Sequence, residues 1–169
     1  MDFNLQDLPS TKILSEYAEQ IAEVDVLSVE LCLTFLATAR KLSDSYQFYF
    51  SKHGLSEGKF TILMLLYRDS NKALFPSELA ERAGVTRGTV TGLLDGLEKS
   101  NWVKRQHNVE DRRKLSIVLT DEGKQRLEKM LPDHYFKTNA LMKNLSDKEK
   151  ELFKALLHKI YEGTSVLYE

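Results

Sequence analysis

Residues 74–120 read LFPSELAERAGVTRGTVTGLLDGLEKSNWVKRQHNVEDRRKLSIVLT, and their signals come in a fixed order: two short helices, a tight turn, then a basic two-stranded hairpin. Pro76 suits a first helical position, because its missing N–H would be unpaired there anyway, and Ser77 and Glu78 sit well at the positive end of the helix. Phe75 is a poor cap, so this terminus needs another device. Ala80 falls where a second helix must approach closely. Gly84 follows where the chain reverses and a residue free to take positive φ meets no steric penalty. Leu79, Val85 and Val90 are expected to plug the space between the helices. Thr86 is a good N-cap for the second helix, which the pattern carries to about Lys99 with Val90, Leu93, Leu94 and Leu97 inward. Asn101 is placed to end it in the left-handed conformation. This layout is that of a winged helix-turn-helix, and it points to sequence-specific binding of double-stranded DNA.

The outer face of the second helix carries Arg87, Gly88, Thr89, Thr91, Gly92, Asp95 and Gly96. Each glycine costs about 1 kcal/mol of helix propensity relative to alanine. Close approach of another surface accounts for such a run; an unspecified solvent face is the plainer alternative. Pressed into a major groove, this helix end would bring Thr86, Arg87 and the threonine hydroxyls to bases or phosphates. Trp102–His107 and Lys114–Leu119 are expected to be the wing strands, with Leu115, Ile117 and Leu119 facing one way and Ser116 and Val118 the other. The polar connection 108–113 should project as a tip, where Arg113 can enter a minor groove and Asp111 can hold its guanidinium. The bland alternative is an exposed ion pair worth roughly 0 to 1 kcal/mol. Arg105 and Arg112 complete the expected DNA-facing set.

The net charge of −1 would argue against nucleic acid if it were spread evenly. From Arg82 to Lys114, however, eight basic residues face four acidic ones, a local excess of +4 that leaves −5 elsewhere. A basic patch on an acidic body fits a DNA-facing surface.

Outside this segment the chain reads as helix. Residues 10–53 contain neither Gly nor Pro. A short arm (Ile13, Leu14, Tyr17, Ala18, Ile21) precedes a long helix from about Ser28, with a break near Asp25 and Gly54 beyond its end; Ser56 starts the next helix. Thr120 caps a helix expected to run to Leu131 and bend at Pro132, and Ser146-Asp147-Lys148-Glu149 is a capping box. The final helix presents Leu152, Phe153, Leu156, Leu157 and Ile160 for burial. Apolar helices at both ends of a small domain need a cover, and a second copy supplies one while setting two reading helices about 34 Å apart, as on a palindromic operator. The expected architecture is mainly α with a small β wing: an arm and dimerisation helix over 1–53, a winged helix-turn-helix over 54–120, and C-terminal dimerisation helices over 121–169.

These residues resemble the MarR family of bacterial transcription regulators over about 28–162, most strongly in SELAERAGV, LLDGLEKSNWVKR, Asp111-Arg112-Arg113 and LTDEGKQRLE. The resemblance implies a homodimer with interlocking terminal helices. It maps Thr86 to Asp95 onto the recognition helix, Arg113 onto the wing arginine and Asp111 onto its partner. It also implies a repressor released by a small phenolic or carboxylate effector. Members often carry a basic residue where this chain has Gly92 and an arginine where it has Gly96, which leaves more of the readout to Arg87, the threonines, the wing and DNA shape.

Cys32 is the only cysteine, so no intramolecular disulfide can form. With Tyr46 fourteen residues later, it resembles the peroxide-sensing branch of the family, where a tyrosine hydrogen-bonds the thiolate. Leu36 stands where that branch has another tyrosine. The apolar neighbours Leu31, Leu33 and Phe35 favour a buried, structural thiol instead. Tyr46, Tyr49 and Phe50 read as core packing, or alternatively as one wall of an effector pocket. The four histidines lack metal-ligand spacing, and no cofactor is expected. No P-loop, Rossmann or nucleophile-elbow motif is present, which argues against an enzyme. With no apolar run of 18 residues and no basic residue in the first ten, neither a membrane span nor a secretory signal is expected, and the expected location is the cytoplasm. The rival from another class is a winged helix that binds protein rather than DNA.

Overall fold

The computed structural model describes residues 8–21, 24–69, 73–107 and 115–168. In chain order they form α1 (Thr11–Gln20), α2 (Val26–Ser51), α3 (Glu57–Arg68), α4 (Pro76–Ala83), α5 (Arg87–Lys99), β1 (Val103–His107), β2 (Leu115–Leu119), α6 (Asp121–Leu141) and α7 (Asp147–Gly163), followed by a 3₁₀ turn over Thr164–Tyr168. The fold is mainly helical with a small antiparallel wing, as the sequence led us to expect.

The helix ends follow local chemistry. The side chains of Ser10, Asp25, Ser56, Thr86, Thr120 and Ser146 each accept a backbone N–H at an N-cap. α4 solves its missing cap differently: the Phe75 N–H donates to the Glu78 carboxylate at 2.7 Å. Gly84 takes φ 66° and Asn101 φ 57°, so both stand in the left-handed region that ends a helix.

The core gathers Ile62, Leu63, Leu79, Val90, Leu94, Leu97, Ile117 and Leu127, none more than 1% exposed. Tyr49 and Phe50 from α2 and Met130 and Leu131 from α6 join the same cluster, so the long helices are seated in the lobe formed by α3–β2 rather than merely flanking it. α6 runs against the wing base at unusually short range. A Cβ on Gly123 would lie 2.1 Å from the Trp102 carbonyl oxygen, and Thr120 fastens the same junction by donating to the Asn101 carbonyl at 2.7 Å.

Three expectations are corrected. Val85 is no plug: its N–H closes the turn onto the Ala80 carbonyl while its side chain is 40% exposed, and Val90 and Leu79 fill the gap alone. The two faces of β2 do not alternate as read. Ser116 is fully buried, which is tolerable because its hydroxyl bonds the Gln106 carbonyl, whereas Leu115 is exposed; Ile117 exchanges two backbone hydrogen bonds with Leu74, a third rung beside the wing. α6 runs through Leu131 and Pro132 and on for another nine residues. Finally, α7 buries nothing within the chain: Leu152, Phe153, Leu156 and Ile160 are 42–60% exposed, since no described element of the same chain packs over them.

Candidate nucleic-acid interface and effector cleft

α5 offers its N-terminal face to solvent. Residues 84–89, 91, 92 and 95 are all exposed. Thr86 accepts the Thr89 N–H at 3.1 Å and shares a 2.9 Å contact with the Thr89 hydroxyl. Thr91 returns its hydroxyl to the Arg87 carbonyl at 3.0 Å. The threonine hydroxyls are thus oriented by the helix itself, while Arg87 has no ion-pair partner among the described residues. A Cβ at Gly92 would meet nothing within 4 Å, and one at Gly88 only the Thr86 hydroxyl at 3.8 Å. Room for a closely approaching surface therefore exists at both. Gly96 is different: its Cβ would stand 2.9 Å from the end of the Lys59 side chain, so this third glycine serves the crossing of α3 and α5 and leaves the open face.

Asp95 and Arg105, both expected to face DNA, are brought together with each other. The Arg105 guanidinium lies 2.5 Å from Asp95 and 2.6 Å from Glu98, and these carboxylates hold its pKa above the ordinary arginine value. Asp111, Arg112 and Arg113 lie outside the described residues.

A second candidate site opens between α2 and α6. A cavity of about 170 Å³ is lined by Leu42, Ser45, Tyr46, Tyr49, His134, Lys137 and Leu141. The Tyr46 hydroxyl pairs with Thr138 at 3.0 Å. Tyr49 is nearly buried, yet its hydroxyl and His134 Nδ1 have no hydrogen-bond partner among the described residues. Burial pushes the Tyr49 phenol up to about 12, and the neighbouring Asp133 carboxylate adds to the rise. Burial likewise lowers the His134 pKa.

Of the three aromatics read as core packing or else as one wall of a pocket, Tyr46 and Tyr49 line this cavity and Phe50 does not. That ring is 2% exposed and stacks on Phe60 at 4.4 Å, inside the core rather than on the wall. The α6 wall was missed, although His134, Lys137 and Leu141 recur at i, i+3 and i+7 and so share one helix face.

Cys32 also departs from expectation. Its side chain is exposed, as are Leu31 and Leu36 beside it, because α2 at this level is covered on the inner side only. Tyr46 stands fourteen residues further along the same helix, about 21 Å at 1.5 Å per residue, and cannot reach this thiol within one chain. No group of three potential ligands for a metal ion occurs among the described residues, and no described helix is long and apolar enough to cross a membrane.

Comparison with known proteins agrees with this geometry. Residues 55–115 match the model of the MarR family. The chain is 48% identical to the HTH-type transcriptional repressor YetL of Bacillus subtilis, covering 96% of this chain and 97% of that one. Among solved structures, AbsC, a MarR family transcriptional regulator from Streptomyces coelicolor, superposes with a TM-score of 0.71 at 24% identity, over 81% of this chain and 95% of that one. MepR of S. aureus in complex with DNA gives 0.67 at 22% identity, over 77% and 93%; both likenesses concern the fold. With a near-full-length relative at 48% identity and the family model matched across the lobe that holds α3 to β1, the chain belongs to the MarR family of transcription regulators.

Proposed function

We propose that this chain is a dimeric, sequence-specific DNA-binding repressor that works in the cytoplasm and is released by a small aromatic effector held in the cleft between α2 and α6. The observation that carries the DNA reading is the open N-terminal face of α5, where Arg87 has no ion-pair partner among the described residues and Gly88 and Gly92 leave room for a second surface. Selection of bound sequences from random DNA tests it. A palindrome is expected, and steep loss of affinity with salt should accompany binding, since each neutralised phosphate releases counterions. A protein-binding winged helix would select no DNA.

The dimer is supported by the uncovered apolar faces of α1 (Ile13, Tyr17, Ile21) and α7. Sedimentation at micromolar concentration checks it, with a folded monomer the refuting result. In this scheme 1–53 and 121–169 join the protomers while 54–120 reads DNA, with the wing residues Asp111, Arg112 and Arg113 taking the adjacent minor groove as the family resemblance implies.

The cleft is well placed for control. His134 touches Phe60 of α3, with ring centroids 4.8 Å apart, and α3 meets the recognition helix where Gly58 faces Leu93. An occupant that moves His134 therefore presses on the element that seats α5. A coupling of about 1–3 kcal/mol between effector and DNA suffices for an effective switch.

A further inference from the structure

We propose that Arg105 is a positioning residue that fixes the wing to the recognition helix and makes no contact with DNA. The inference rests on the DNA-binding reading. Asp95 and Glu98 stand three residues apart on α5 and so project from one face. Between them they hold Arg105 three times: Asp95 accepts from one terminal nitrogen at 2.5 Å, Glu98 from the other at 2.6 Å, and the second Glu98 oxygen accepts the Arg105 backbone N–H at 3.1 Å. Side chain and main chain of β1 are thereby gripped by consecutive turns of the helix.

The grip is central to the wing. Arg105 is the middle residue of β1 and pairs with Ile117, which is in turn bonded to Leu74 just before α4. An isolated pair of five-residue strands is only marginally stable in water. A hairpin that must keep a set distance from a helix in the neighbouring groove therefore needs an anchor of this kind. The charges favour the same role. Two carboxylates face one guanidinium, so the cluster carries a net negative charge and would not draw a phosphate. Only the planar fork of arginine can engage both acids and keep their geometry; a lysine ammonium is a single point charge on a flexible stem.

Arg105→Ala and Arg105→Lys, each compared with the parent on an operator the parent binds, test the assignment across a salt series. A phosphate contact contributes about 0.9 to the slope of log K against log salt for each protomer. If Arg105 positions the wing, both variants lose at least about fivefold in affinity, as expected when a coupled network is broken, and both keep the parent's slope. Lysine failing as badly as alanine is the signature of a fork rather than of a charge. Retention of affinity by Arg105→Lys, no loss in Arg105→Ala, or a fall in slope in either would overturn the proposal. Absence of any operator for the parent chain would instead sink the DNA-binding reading, so the two failures are distinguishable.

Discussion

Replacing Gly92 by alanine should make the protein more stable and worse at its task. The residue lies in the interior of α5, in an ordinary helical conformation, and a Cβ there would touch nothing within 4 Å. Neither strain nor crowding opposes the change, so the helix-propensity difference survives as a gain of about 0.5–1 kcal/mol per protomer. For a chain of this size that is a rise of about 2–4 °C in Tm per kcal/mol, measured at one fixed protein concentration because the apparent stability of a dimer would depend on it. If the face lies against DNA, the same methyl group stands where the groove surface must come. Loss of the contacts around it should cost about 1–3 kcal/mol, which is about 5- to 150-fold in affinity. Thermal unfolding and operator titration on the same preparation separate the two effects. A variant that is more stable and binds with parental affinity would refute the close approach and leave Gly92 without a function. A less stable variant would instead refute the open space around Gly92.

Gly123→Ala should behave in the opposite way. Its Cβ would collide with the Trp102 carbonyl, a backbone atom that can yield only if α6 and the wing base separate; an overpacking cost of about 1–3 kcal/mol and a weakened Thr120 cap outweigh the helix-propensity gain, and the midpoint of urea unfolding should fall accordingly. Cys32→Ser should match the parent in operator affinity before and after peroxide, because the Tyr46 hydroxyl is engaged by Thr138 within its own chain; loss of binding on oxidation in the parent alone would make the exposed thiol a redox sensor. Acid should destabilise the fold through His134. Its folded-state pKa is lowered from 6.5 by burial, so the unfolded chain binds the proton more readily and stability falls as pH drops through about 6.5. His134→Phe should flatten that part of the pH–stability curve, and an unchanged slope would show that the imidazole is not held neutral by its surroundings.

The recognition segment was legible because its constraints are local. Thr86, Gly84, Asn101 and Pro76 act on their own backbone or on residues within one turn, so reading them needs no knowledge of what packs above. Ser116 and Val85 show where locality ends. A buried serine on β2 depends on the Gln106 carbonyl across the hairpin, and Val85 is left outside because Leu79 and Val90 already close the gap. Arg105 illustrates the limit for charge. In the sequence it is one of eight basic residues in a positive segment, and only the distances to Asp95 and Glu98 reveal that its charge is already answered. The effector cleft was half readable for a related reason. Its α2 wall was visible as an aromatic cluster, but its α6 wall is set by which turn of a long helix arrives opposite Tyr49, and a bend expected at Pro132 leaves that turn undetermined. Once α6 is continued through Pro132, His134, Lys137 and Leu141 fall on one side and line the cavity opposite Tyr46 and Tyr49. Continuity of that one helix therefore carries the chain from the wing base, at Gly123, to the far wall of this cavity.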